Sequence, residues 1–301
     1  MAAGRPPRKH RSGDGYWPWL FVLPTFAGVV LFYLWPLGKT FYDSFTDSRV
    51  FGSSSWVGTE NYRRLLSDGD VYRAILNTVV YTAVVLLGIP VAVFFAALLN
   101  RRGLRFALVY RTMFFLPYVA MPTAISLVWR IIYNGDYGVL NAALKVFGIQ
   151  GPVWISTEWF ALVAVGVLGL WAGTGFNMIV LAAGLKGIPG ELYEAASLDG
   201  ASQRQQFRHI TVPLLTPSIF FLSVITTIGG FQLFDMLFVL LGPDNPIMPK
   251  TQSLVFLYYR AAFHSGDLGY GAAIAMFLLL VVGVVTALQF RVQRRWVEYL
   301  D

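Results

Sequence analysis

Asp235 and Gln232 each place a strongly polar side chain in an otherwise apolar run, Phe231-Gln-Leu-Phe-Asp235. A carboxylate or amide is expensive to hold in such surroundings and marks a place where something polar is bound or passed. Three apart on one helix, the two would share a face suited to sugar hydroxyls, with Phe231 or Phe234 as a ring to stack on. A hydrogen bond to a neighbouring helix would use the same pair. Catalysis is poorly served by the rest of the sequence. His10, His209 and His264 lie in separate polar segments, cysteine is absent, and no His/Asp/Glu cluster suggests a metal site or an acid–base pair. No G-x-x-x-x-G-K-[ST] loop occurs, so this chain is not expected to handle nucleotide.

A second polar constellation lies in the segment 187–213. Pro189 suits a helix start, Glu191 and Glu194 a first turn, and Asp199-Gly200 a tight turn. Ser202 can cap a second short helix that stops before Pro213. Leu192, Ala195, Ala196 and Leu198 give the first helix a small apolar patch. That patch suits either the close approach of another protein or a position on lipid headgroups.

Membrane helices must position these residues. Hydrophobic residues make up 56% of the 301-residue chain and charged residues 13%, about half the charged share of a soluble domain. Six stretches are long and apolar enough to cross a bilayer: 17–38, 74–99, 112–133, 159–185, 217–241 and 271–290. The predicted fold class is therefore all-α and polytopic. The first stretch is too long for a cleaved signal and is read as a retained anchor. Pro117 and Pro122, five apart in the third, predict a bend beside a pathway, whereas the glycines of the fourth (Gly166, Gly169, Gly173, Gly175) suit either tight packing or an opening. Arg111 and Arg130, near span ends, are read as interfacial anchors.

Lys and Arg concentrate in alternate connections, four in 1–16, four in 100–111, three in 186–213 and three in 291–301. The long loop 39–73 balances five bases with five acids. This asymmetry places both termini in the cytoplasm. It also accounts for the net charge of +7 without nucleic acid as a partner. The expected organisation is a basic cytoplasmic tail (1–16), a first transmembrane helix (17–38), an extracytoplasmic loop (39–73), a transmembrane core (74–290) containing the cytoplasmic segment 187–213, and a cytoplasmic tail (291–301).

Glu194-Ala195-Ala196, three residues, Gly200, nine residues, Ile210, one residue, then Val212-Pro213 resembles the EAA motif of membrane subunits of binding-protein-dependent ABC importers, with Val212 at a usual leucine. Gly58-Thr-Glu-Asn-Tyr62, Asn77-Thr78, Phe115-Leu-Pro117, Trp129-Arg130 and Gln289-Phe-Arg291 are similar to the carbohydrate-uptake, maltose-type branch, which also holds glycerol-phosphate permeases. The resemblance runs from about residue 17 to the end.

It implies the six-helix type I importer permease (MetI-like) fold in a bacterial or archaeal inner or plasma membrane. It further implies a second homologous permease, an ATPase dimer carrying the ATP and Mg, and an extracytoplasmic solute-binding protein. Glu194, Ala195, Ala196, Asp199, Gly200, Ile210 and Pro213 are then the ATPase-coupling residues. Gln232, Asp235 and Phe231, with Tyr118, Thr123, Gly173 and Phe176, are the substrate-pathway residues. The chain is expected to be a transport subunit, not an enzyme, binding no cofactor and no metal itself. A di- or oligosaccharide is the expected cargo, because a buried carboxylate would repel a phosphate ester. A glycerol-phosphate or glycerophosphodiester importer is the alternative. An ion-gradient carrier is more distant, since no inverted repeat or pair of intramembrane charges is evident.

Overall fold

The computed structural model describes residues 16–52, 54–100 and 104–297. Nearly all of the expected N-terminal tail, Arg101 and Arg102, and the last four residues of the C-terminal tail lie outside them. Within the described residues regular structure is helical, apart from two isolated bridges, Thr46 to Trp56 and Arg49 to Asp267.

The first span is continuous: α1 (Trp17–Val29) passes through a π-helical turn (Val30–Leu34) into α2 (Trp35–Asp43), five residues beyond the stretch expected from the sequence. None of its apolar window is buried within the chain, and α2 leans on the last helix. The loop that follows is compact. Asn61, on α3 (Glu60–Ser67), is buried and donates to the carbonyls of Ser44 and Thr46 at 3.0 and 2.8 Å. Tyr62 shares a 2.7 Å hydrogen bond with Ser44. The Gly58–Tyr62 motif thus ties the loop to the end of span one. Asp47 accepts from the backbone N–H and hydroxyl of Ser55, which hold its carboxyl below the ordinary carboxylate pKa.

Span two is α4 (Gly69–Leu86) running into α5 (Gly88–Leu99), capped at its start by the Asp68 side chain. Span three is broken. α6 (Ala107–Val119) and α7 (Pro122–Ile132) meet at 99°, so the expected bend is sharper than a proline kink. Beyond α8 (Val139–Val146), span four is the uninterrupted α9 (Glu158–Lys186), the central helix against which α4, α5 and α6 pack. A methyl group at Gly175 would collide with the Phe114 carbonyl on α6, so close helix contact requires a glycine there. Gly173, two residues earlier, faces open space.

After α9 the chain forms α10 (Gly190–Leu198), α11 (Gln203–Gln206), a π-helical turn (Phe207–Thr211) and α12 (Val212–Leu214). The second short helix does not stop before Pro213. The wide turn precedes the proline, which then occupies the first turn of α12, where its missing N–H costs little. α13 (Thr216–Phe231) departs at 61° to this segment. Its 16 residues reach roughly 24 Å, short of the ~30 Å apolar thickness, before α14 (Asp235–Leu241) takes over.

The chain then returns through α15 (Met248–Thr251) and α16 (Leu254–Tyr259), and ends in α17 (Leu268–Gln293), which is span six. The returning segment is gripped by span two. Buried Asn77 donates to the carbonyls of Lys250 and Gln252 at 2.9 and 3.0 Å, and Thr78 accepts from the Leu254 N–H at 3.1 Å. At the same end Arg64 pairs with Asp267 at 2.7 Å and Arg260 with Asp70 at 2.5 Å.

Candidate functional site

Two helix interruptions meet at one place. Pro117 removes a hydrogen bond from the end of α6, Ala120 and Met121 are extended, and Pro122 opens α7. Beside this break lies a cavity of about 200 Å³ whose wall includes Tyr81, Tyr118, Ile125, Gly173 and Met236. Tyr118 is half-exposed and stacks on Phe176, with ring centroids 4.9 Å apart and planes inclined by 20°. Of the residues expected along a pathway, Tyr118 and Gly173 line this cavity and Phe176 supports it. Thr123 lies exposed in the first turn of α7.

The second interruption corrects the expected geometry of Gln232 and Asp235. α13 ends at Phe231, Gln232 is its cap, and Asp235 begins α14, so the two do not share a helix face. The physical cause is distant in sequence. The Ser253 hydroxyl donates to the Leu233 carbonyl at 2.5 Å, satisfying a group that a continuous helix would have used. Gln232 and Asp235 are both exposed, and Asp235 sits where a helix N-terminus favours a negative charge. Phe231 is only 4% exposed and packed inward, and Phe234 lies against Phe238 and Tyr259. Neither offers a free ring face; Tyr118 is the better placed aromatic.

The 190–214 segment is a braced hairpin. Ser202 and Gln205 form a reciprocal capping box, Gln206 donates to Ser197 and the Ala201 carbonyl, and Tyr193 shares a 3.0 Å hydrogen bond with Thr211. Gly200 adopts φ +78°, and the N–H groups of Gly200 and Ala201 close the end of α10 on the carbonyls of Ser197 and Ala196. The outer surface carries Glu194, Ala195, Asp199 and Gly200, with Leu198 90% exposed. Ala196 is half-buried. Ile210 and Val212 pack inward against the bundle near Leu185, Ile188 and Leu215, and Pro213 is half-buried between them. The motif thus divides into an exposed half and a half that joins the hairpin to the spans. His209 is at the surface, its ring beside the Gln205 carbonyl.

The two arginines have more particular settings than interfacial anchoring. Arg111 donates to the Leu99 carbonyl at 3.0 Å, closing the end of span two. Arg130 lies on the wall of a larger cavity, about 530 Å³, with Ser156, Asp244 and Asn245 at the face opposite the hairpin. Sequence reasoning named Asn77 only as part of a motif, without a role, and did not single out Tyr81. An amide in the middle of an apolar stretch was the available signal for a role of the first, and the sequence holds no comparable signal for the second.

Among the described residues, a bundle of four long apolar helices and two broken ones, with a polar hairpin on one face and a cavity between the breaks, has the make-up of a multi-pass membrane protein. The chain belongs to the family described as binding-protein-dependent transport system inner membrane component, whose model matches residues 85–298. It is 31% identical over 277 residues to the arabinooligosaccharides transport system permease protein AraP of Bacillus subtilis, covering 91% of this chain and 87% of that one. It is 33% identical over 288 residues to the sn-glycerol-3-phosphate transport system permease protein UgpA of Agrobacterium fabrum, covering 94% and 96%. Among solved structures, a bacterial ABC transporter involved in import of the acidic polysaccharide alginate matches with a TM-score of 0.83 at 21% identity, over 95% of this chain and 97% of the other. The bacterial alginate ABC transporter in complex with an alginate pentasaccharide-bound periplasmic protein matches with a TM-score of 0.82 at 20% identity, over 98% and 100%. The fold is that of an ABC importer permease, and the chain is a multi-pass inner-membrane protein.

Proposed function

We propose that this chain, with a second homologous permease, forms the translocation pathway of an ATP-driven importer for a di- or oligosaccharide. The observation that carries this reading is the meeting of two interrupted spans around the cavity beside Tyr118 and Gly173. Broken helices inside a membrane are tolerated where they line a cavity, and such breaks bring polar backbone and side chains to a solute. The Tyr118–Phe176 pair offers a sugar an aromatic platform, and exposed Gln232 and Asp235 offer hydrogen bonds to hydroxyls. Energy enters through the exposed half of the hairpin, where Glu194, Ala195, Asp199, Gly200 and Leu198 dock on a separate ATPase dimer that holds the ATP and Mg²⁺. Ile210 and Pro213 pass the movement to α13. Both termini and the hairpin lie in the cytoplasm, and a solute-binding protein delivers cargo at the opposite face.

The similarity to UgpA favours a second reading, a glycerol-phosphate or related phosphodiester cargo. Asp235 opposes an anion there, whereas it accepts hydrogen bonds from a sugar. Asp235→Leu is expected to change sugar uptake, or the substrate-stimulated ATPase rate, several-fold at normal expression. Unaltered uptake kinetics would remove Asp235 from the pathway, and faster phosphate-ester uptake would favour the second reading. Affinity purification of the tagged chain from its own membranes should bring down an ATPase and a second permease; recovery of the chain alone overturns the proposal.

A further inference from the structure

Tyr81, on α4, is 6% exposed, yet it lines the cavity between the two helix breaks, and its hydroxyl lies between Gly169 and Met236, two further residues of that wall. Buried phenols ordinarily find a good hydrogen-bond partner. Other buried hydroxyls in this bundle do. Tyr133 donates to the Ala164 carbonyl at 3.1 Å, and on Tyr81's own helix Thr78 and Thr82 donate to carbonyls at 2.7 Å. The Tyr81 hydroxyl has only the thioether sulfur of Met236, at 4.0 Å, a weak acceptor. Space is kept for it. The hydroxyl lies over Gly169 on α9, where any side chain would collide with it. The fold therefore holds a strong donor and acceptor at the cavity wall without using it internally.

We propose that Tyr81 is a specificity-determining residue that exchanges its weak contact with Met236 for a hydrogen bond to a hydroxyl of the passing sugar. This rests on the reading of the cavity as part of the pathway. The cavity, about 200 Å³, has room for a single sugar ring. Tyr118 presents an aromatic face to the ring's apolar side, and Tyr81 meets its polar edge. A hydroxylated solute is matched by such a site better than an anion is, because a phenol offers one donor and no positive charge.

The test is Tyr81→Phe in the assembled importer, reconstituted in proteoliposomes with its binding protein at saturation. The probes are maltose, lactose, arabinobiose and, as an anion, glycerol 3-phosphate. Removing one hydroxyl that has no strong internal partner should leave the melting temperature unchanged. It should slow uptake of the best-transported sugar by about 3- to 10-fold and alter the ranking among the sugars. Sugar uptake equal to wild type in both rate and ranking overturns the proposal, as does a wild-type importer that moves only glycerol 3-phosphate. Gly173→Trp, which fills the cavity from open space, separates the two readings. Blocked uptake there alongside normal Tyr81→Phe uptake defeats the Tyr81 assignment alone. Normal uptake by Gly173→Trp defeats the cavity as pathway, and the Tyr81 assignment with it.

Discussion

Gly200→Pro is expected to abolish uptake while leaving the chain inserted in the membrane. Gly200 sits at φ +78°, and proline is locked near −65°, so the substitution cannot be absorbed in place. Proline also deletes the N–H that donates to the Ser197 carbonyl at 3.1 Å. Together these cost about 3 kcal/mol or more, roughly a hundredfold in the population of the native turn. The loss falls on the turn that sets α10 against α11. The spans are untouched, because Gly200 is exposed and a Cβ added there would meet nothing in the bundle. Gly200→Ala keeps the N–H and carries only the left-handed strain of about 1–2 kcal/mol, so its uptake should be intermediate. The measurement is uptake beside ATPase activity and copurification of the ATPase. A proline variant that keeps its ATPase partner and transports at the wild-type rate would refute the docking assignment.

Gly175→Ala should be strongly destabilising, and Gly173→Ala, two residues away, should be nearly silent for stability. A methyl at 175 is driven into the Phe114 carbonyl and lies 2.8 Å from the Phe115 Cα, both backbone atoms of α6. Backbone cannot swing aside as a flexible side chain can, so α6 and α9 must separate, at a cost of about 1–3 kcal/mol. Because α6 also carries Tyr118, uptake should fall with stability. At 173 the methyl enters open space. Thermal melting of the two purified variants in the same detergent distinguishes them. Equal melting temperatures would mean that α6 and α9 do not approach this closely.

Much of this architecture is legible from hydropathy and end signals. The capping Ser202 and the turn at Gly200 follow from local chemistry, because their partners lie within a few residues. The break in span three is legible for the same reason: Pro117 and Pro122 carry it themselves. The break in span five is not. Gln232, Leu233 and Phe234 contain no helix breaker, and the interruption is held by Ser253, twenty residues on, in a segment anchored by Asn77 and Thr78. A period of 3.6 extended through such a run puts Gln232 and Asp235 on one face and Phe231 toward the solute, and both expectations fail together. Tyr81 was illegible for a related reason. Its residue type is ordinary in a span, and only the three-dimensional neighbourhood shows that its hydroxyl lacks a strong internal partner.

The grip of Asn77 has a consequence for how this chain tolerates change. Its amide reads main-chain carbonyls, so it is blind to the side chain at position 250: Lys250 is exposed and can be exchanged without loosening the hold. Asn77 has no such latitude. Aspartate lacks the two N–H donors, glutamine is a methylene too long for a buried site, and leucine strands both carbonyls. Sequence drift in the returning segment and rigidity at position 77 are therefore two sides of one contact.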